Sequence, residues 1–403
     1  MTSASPANLR SPLGAHWGLD PNVTFLNHGS FGACPTEVRR HRAGLLDRME
    51  RQPVDFMVRE LPELHFSVVR RLEDFLGAER GSLVLLPNAT AGVATALQAV
   101  DLRPGQQVLT TGQEYFATRN AVFRRAEECG AEVVEVAAPF PVDGADELLE
   151  PLLDGVCPST GLIVVDHIFS PSGVVFPLAG LVRKLGSNRP PILVDGAHGP
   201  GQMELELKSL GVEFYTGNCH KWLCSPKSCA VLYTRPDYQD RVRPLAQSYT
   251  PRDMDADLSR YQLEHFWNGT FDPTPRLSVP TAIDVMAALV PGGWPEVIRR
   301  NHALALRARN TICGSIGVAP PCPEEMVGAM AAIPLPWKEP PHPRKPEWTD
   351  PLQHRLRSVG IEVPVTWSRL PRIRMLRISA QLYNAHEEYQ MLADALGAMS
   401  AGS

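Results

Sequence analysis

Apolar runs that stop on polar or glycine residues set the pattern of the chain from about residue 81 to 235. "SLVLLPNATAGVATALQAV" passes from a short apolar run through a polar turn into an alanine-rich helix, and "QQVLTTGQEYFATRNAVFRRAEECG" repeats that order of features. "AEVVEVAA", "GLIVVDHIFSPSGVVFP", "PPILVDGAHGPGQ", "VEFYTGNCHKW" and "SCAVLYTR" follow as further runs. Short continuous apolar runs bounded by turn residues fit strands buried on both faces of a parallel sheet. Their alternation with helices predicts an open α/β sheet covered on both faces. Ligands of such sheets bind beyond the carboxyl ends of the strands. That rule gathers Asn88–Ala89–Thr90, Tyr115, Ser170, Asp195 to His198, and Asn218 to Lys221 along one edge.

The flanks read differently. "VTFLNHGSFGACP" leads a short strand into a glycine-containing turn, and residues 36–76 read as helices. From about residue 285 helices and shorter strands predict a smaller α+β domain, interrupted by the proline-rich "PLPWKEPPHPRKPEWTD" as an irregular surface loop. The expected organisation is a mobile arm over 1–22, a large domain over 23–284, and a small domain over 285–403. Residues 23–60 are the part of the large domain able to pack on the small one.

Bulk composition narrows the function classes. With 403 residues, 44% apolar and 21% charged, the chain reads as a soluble globular protein of about two domains. A net charge of −5 without a long basic run argues against nucleic acid as partner, and no apolar stretch approaches the length of a membrane span. The start lacks an apolar signal core, and eight cysteines are too sparse for a disulfide scaffold, so a reducing cytoplasm is expected. Cys219, Cys224 and Cys229 match no common zinc spacing, and no metal is expected.

A lysine after a strand is ordinarily a surface residue. Lys221 has unusual company, because Asp195 ends the apolar run "PILVD" on what should be an adjacent strand. A buried carboxylate is costly unless it meets a cation or several donors. A protonated pyridine nitrogen is such a cation, and a lysine amine in a site that lowers its pKa attacks carbonyls. Together these are the two protein groups that pyridoxal 5'-phosphate requires at opposite sides of its ring. "PNATAG" offers helix-terminal N–H groups and the Thr90 hydroxyl to a phosphate, although it also reads as a plain N-cap. Asn218 and His220 could add hydrogen bonds, and Tyr115 reads either as a ring-stacking residue or as a rim aromatic. In "RMLRIS" the alternation turns Leu376 and Ile378 to the core and Arg377 to the other side, where an anion would have to meet it.

"VDGAHGPGQ" followed by "FYTGNCHKW" resembles the core of the class V aminotransferase superfamily, pyridoxal-phosphate enzymes of fold type I. "FLNHGSFGACP", "FWNGTFDPTPRLSVPTAID" and "LRISAQLYN" are similar to segments of its isopenicillin N epimerase group, in the same order, over roughly residues 23–393. The resemblance implies a Schiff base on Lys221, Asp195 against the pyridinium nitrogen, and His198 where many relatives carry a glutamine bonded to the phenolic oxygen. It implies phosphate binding by Thr90, Asn218 and His220, and by Gly269 and Thr270 of the neighbouring subunit, hence a homodimer with shared sites. It further implies that Arg377 grips the substrate carboxylate, with Asn27 and His28 near the substrate. In the desulfurase branch a histidine stands at the position of Tyr115, an asparagine at Ser170, and a reactive cysteine precedes the arginine motif. "IEVPVTWSRLPRIRMLR" has no cysteine. The expected activity is therefore epimerisation at the α-carbon of an amino acid. C–S lyase chemistry on a cysteine derivative and transamination are the alternatives, and a non-catalytic protein of the same fold is the reading from another class.

Overall fold

The computed structural model describes residues 9–249, 258–337 and 350–401. Its larger layer is a seven-stranded sheet of β1 (Leu83–Leu86), β2 (Gln107–Thr111), β3 (Glu132–Val136), β4 (Thr160–Asp166), β5 (Ile192–Asp195), β6 (Phe214–Asn218) and β7 (Ala230–Thr234). The strand order is β1-β7-β6-β5-β4-β2-β3, and only β7 runs against the rest. Every residue of β1, β5, β6 and β7 is buried, as continuous apolar runs require of strands covered on both faces. The edge strand β3, "EVVEV", carries Glu132 and Glu135 among its valines and stays partly exposed. Parallelism puts the ends of β1, β2, β4, β5 and β6 on one edge. The fold is thus the open, mostly parallel α/β sheet expected from the apolar pattern.

Helix α1 (Ala89–Ala99) follows β1 and crosses back over β5, β6 and β7. It lies so close to β6 that a Cβ on Gly92 would stand 2.0 Å from Thr216 Oγ1. Glycine here serves close approach, and the approach delivers the first turn of α1 to the end of β6. Helix α2 (Phe116–Cys129) starts directly after Tyr115.

The smaller layer is an antiparallel sheet of β8 (Met330–Pro334), β9 (Val365–Arg369) and β10 (Arg372–Ser379) in the order β9-β10-β8. Helices α3 (Gly293–Ile316) and α4 (His386–Ala401) pack on each other, and α3 also packs on β8. Leu376 and Ile378 are fully buried in this core with Ile312, Ile333 and Tyr389, and Arg377 projects from the other face of β10. Thr24–Phe25 pairs in parallel with Ile361–Glu362, and Leu26 joins the same core. The helix Thr36–Arg51 packs instead on Val279–Ala288.

Part of the expected arm departs from expectation. Residues 1–8 lie outside the described residues, but the following turn is fastened to the body. Arg10 Nη2 donates to the carbonyls of Asp20 and Val23 at 2.6 Å each, and Trp17 is buried against Tyr383 with its indole N–H on the Ala33 carbonyl. The tryptophan supplies the apolar area that a free arm lacks. Most of the proline-rich segment, residues 338–349, also lies outside the described residues. Among the described residues no single helix is long and apolar enough to cross a membrane.

Candidate active site

Lys221 emerges from the loop after β6, and His28 braces that loop from below. Lys221 O can only accept, so the hydrogen of His28 is on Nε2, 3.0 Å away. Its Nδ1 then accepts from the Tyr383 hydroxyl at 3.0 Å and the Ala33 N–H at 3.3 Å. Burial drops the His28 pKa to about 3, which keeps the ring neutral. The ring, which the resemblance puts near the substrate, is fully buried and has both nitrogens bonded to the scaffold.

The amine of Lys221 lies 3.0 Å from His198 Nε2. On the far side of that ring the Trp222 indole, which can only donate, reaches His198 Nδ1 at 3.4 Å. His198 therefore accepts on Nδ1 and carries its hydrogen on Nε2, aimed at Lys221. The amine meets it as an acceptor, which an ammonium cannot be. Burial, opposed by the charge of Asp195, lowers Lys221 to a pKa of about 8, and burial holds His198 well below the usual imidazole range. A half-buried lysine thus keeps a usable lone pair near neutral pH.

Asp195 ends β5 beside β6. Its carboxylate accepts from Thr118 Oγ1 at 2.6 Å and from the Ala197 N–H at 3.0 Å. Tyr115, half-buried at the start of α2, shares the electrostatic field of Asp195 and Arg377, and burial raises its hydroxyl pKa. Arg377 is 4% exposed and has no carboxylate partner among the described residues. Nη1 donates to Ser170 O and Nη2 to Ser30 Oγ at 2.9 Å, while Nε has no partner among the described residues. Burial brings its pKa down to about 10. Ser30 passes the chain on to Asn27 Oδ1 at 2.5 Å, and Asn27 Nδ2 rests on Glu362. Asn27 thus braces Ser30, which in turn supports Arg377.

The first turn of α1 carries donors beside the end of β6. Asn88 Oδ1 caps the Ala91 N–H at 2.9 Å, and Asn218 Oδ1 takes the Ala89 N–H at 2.9 Å. That leaves the Thr90 N–H and its exposed hydroxyl facing outward as an anion site. Asn218 holds the turn with its oxygen and keeps its amide hydrogens. His220 donates Nδ1–H to Cys229 O at 3.2 Å, and burial lowers its pKa to about 4. It can donate to a phosphate only after taking a proton on Nε2. Gly269, with φ of +107°, and Thr270 lie on a partly exposed turn and make no hydrogen bond to this cluster among the described residues.

These groups fit pyridoxal phosphate on chemistry alone. A free amine, a carboxylate with its two donors behind it, an N–H beside the amine and a helix-terminal anion site converge on one edge.

Residues 65–289 match the family described as Aminotransferase class-V. The chain belongs to the class V aminotransferases. It is 32% identical to an isopenicillin N epimerase of Amycolatopsis lactamdurans, over 99% of this chain and 100% of that one. It is 29% identical to a probable chloroplastic L-cysteine desulfhydrase of Arabidopsis thaliana, over 98% and 86%. Among solved structures, a cystine C–S lyase complexed with cysteine persulfide is similar in fold, with a TM-score of 0.75, 17% identity, and coverage of 93% of this chain and 97% of that one. As a class V aminotransferase the protein is an enzyme whose cofactor is pyridoxal 5'-phosphate.

Several residues of this class V site escaped the sequence reading. Thr118 stands three positions after Tyr115, one helical turn along α2, and that spacing was the available signal. Trp222 and Ser30 gave none, since their roles depend on which way neighbouring loops turn.

Proposed function

We propose that this enzyme epimerises an α-amino acid at its α-carbon. The observation that carries the reading is Arg377, a buried guanidinium without a carboxylate partner among the described residues, held by Ser170 and Ser30 and sharing the electrostatic surroundings of Tyr115 and Lys221. A bidentate fork with an unused Nε–H suits an amino-acid carboxylate. When bound, pyridoxal phosphate supplies an electron sink conjugated with the α-carbon. Lys221 Nζ would then take the α-proton on its own face, and a proton returned to the α-carbon from the opposite face would complete the inversion. Asp195 Oδ1 and Oδ2, fixed by Ala197 and Thr118, hold the proton on the ring nitrogen, and His198 Nε2–H serves the phenolic oxygen. Thr90, Asn218 and His220 take the phosphate, with Gly269 and Thr270 contributed across a homodimer.

The resemblance to isopenicillin N epimerases over nearly the whole chain supports epimerisation. A second reading, C–S bond cleavage in a cysteine derivative, is supported by relatives named L-cysteine desulfhydrases at 27–29% identity over 93–98% of the chain. The test is to incubate the loaded enzyme with a panel of L-amino acids and score products. Appearance of D-isomer supports the first reading. Release of sulfide with pyruvate and no inversion replaces it with the second.

A further inference from the structure

Glu114 follows β2, Asp166 ends β4 and Asp195 ends β5, and β2, β4 and β5 are consecutive neighbours in the sheet. The strand order therefore brings three carboxyl groups together, and one oxygen from each lies within 4.8 Å of the others. All three side chains are buried. Their hydrogen bonds are unequal. Asp195 has the Thr118 hydroxyl and the Ala197 N–H. Glu114 Oε2 accepts from Thr110 Oγ1 at 3.0 Å, and Asp166 Oδ2 accepts from the Ser170 N–H at 3.4 Å. Glu114 Oε1 and Asp166 Oδ1 have no donor among the described residues. Two orphaned oxygens on neighbouring buried acids, with no N–H or O–H aimed at either, are satisfied together by a single proton between them.

We propose that Glu114 and Asp166 share one proton and act as positioning residues for Asp195, holding a second negative charge behind the carboxylate that faces the cofactor. This rests on the reading of Asp195 as the partner of the ring nitrogen. Three carboxyl groups with one proton carry two negative charges. The donors on Asp195 direct one charge to it, and the other is shared by the pair. Both charges favour a cation where Asp195 points.

The surroundings agree. The other charged or titratable groups that face the pair are Glu135 on β3, Asp195 on β5, Tyr115 ahead of α2 and Lys221 after β6. No cation bonds to either acid among the described residues. Burial pushes Glu114 up to about 7, and burial together with the charge of Glu114 raises Asp166 well above the carboxylate range.

The test begins with infrared spectra of the apoprotein at pH 6 to 7. A buried protonated carboxyl gives a C=O stretch, distinct from carboxylate bands, that shifts in D2O. Glu114→Gln places a permanent N–H where the proton was and leaves the total charge unchanged. The band should vanish in this variant while its affinity for pyridoxal phosphate stays within about threefold of wild type. Glu114→Gln combined with Asp166→Asn removes the second charge and should weaken cofactor binding by roughly 10- to 100-fold. A wild-type spectrum without such a band, or a band unchanged in Glu114→Gln, overturns the shared proton. A double variant that binds the cofactor like wild type overturns the positioning role. A wild-type apoprotein that captures no pyridoxal phosphate overturns the reading of the site itself, and the band still reports on the proton separately.

Discussion

Lys221 Nζ faces a histidine nitrogen that can only offer it a hydrogen, so the reactive form of this lysine is built into its neighbours. With its pKa lowered to about 8, half of the amine is free at pH 8. Capture of pyridoxal phosphate by the apoprotein should accordingly accelerate with pH about a midpoint near 8, measured by stopped-flow absorbance. A midpoint above 10 would mean that burial does not tune the amine. Borohydride reduction of the loaded enzyme followed by peptide mapping should label Lys221, and Lys221→Ala should lose the label. Arg377 has a narrower task. Arg377→Lys keeps the charge but loses the fork, and loss of a charged hydrogen bond typically costs about 1.5–3 kcal/mol, roughly 10- to 150-fold. The amino-acid KM should rise by that order with the resting visible spectrum unchanged, whereas an altered spectrum would move Arg377 to the cofactor. Glu114 gives a stability test. Its folded pKa of about 7 lies above that of an unfolded glutamate, so its contribution is complete below about pH 4.5 and is lost as pH rises to 7 and beyond. Between pH 5 and 8 the melting temperature of Glu114→Gln should fall less than that of wild type.

Elements decide where these residues stand, and much of that placement was legible. Continuous apolar runs identify β1, β4, β5 and β6, and parallelism turns their last residues into a site without further information. The alternation in β10 likewise turns Arg377 away from Leu376 and Ile378. Loops were less legible, because their side chains answer to contacts far away in sequence. His28 sits in a glycine-containing turn whose local sequence says nothing of its partner, and its ring is claimed by a carbonyl 193 residues away. The closeness of α1 to β6 gives the prediction at this scale. Gly92→Ala puts a methyl group 2.0 Å from Thr216 Oγ1, so α1 must lift. Overpacking of this kind typically costs about 1–3 kcal/mol. Because the lift displaces Thr90, the variant should melt lower and also release pyridoxal phosphate more readily in equilibrium dialysis. Lower melting with unchanged cofactor affinity would detach the phosphate site from α1.

For the molecule as a whole, the site draws on both layers and, by the reading above, on a second subunit. Mixing Lys221→Ala chains with Thr270→Ala chains should form hybrid dimers in which one site has both residues intact, and activity should recover above that of either parent. No recovery in mixtures shown by sedimentation to be dimeric would place Thr270 outside the site. The pairing of Thr24–Phe25 with Ile361–Glu362 has a different consequence, one of timing. Residues 27–30 support the lysine loop and Arg377, yet the strand before them finds its partner only some 340 residues later. During synthesis the large sheet can form while that early segment waits unpaired. The ribosome must release β10 and Tyr383 before His28 has its full set of contacts. Nascent chains arrested short of residue 361 should therefore hold a folded sheet that resists protease and still fail to retain cofactor.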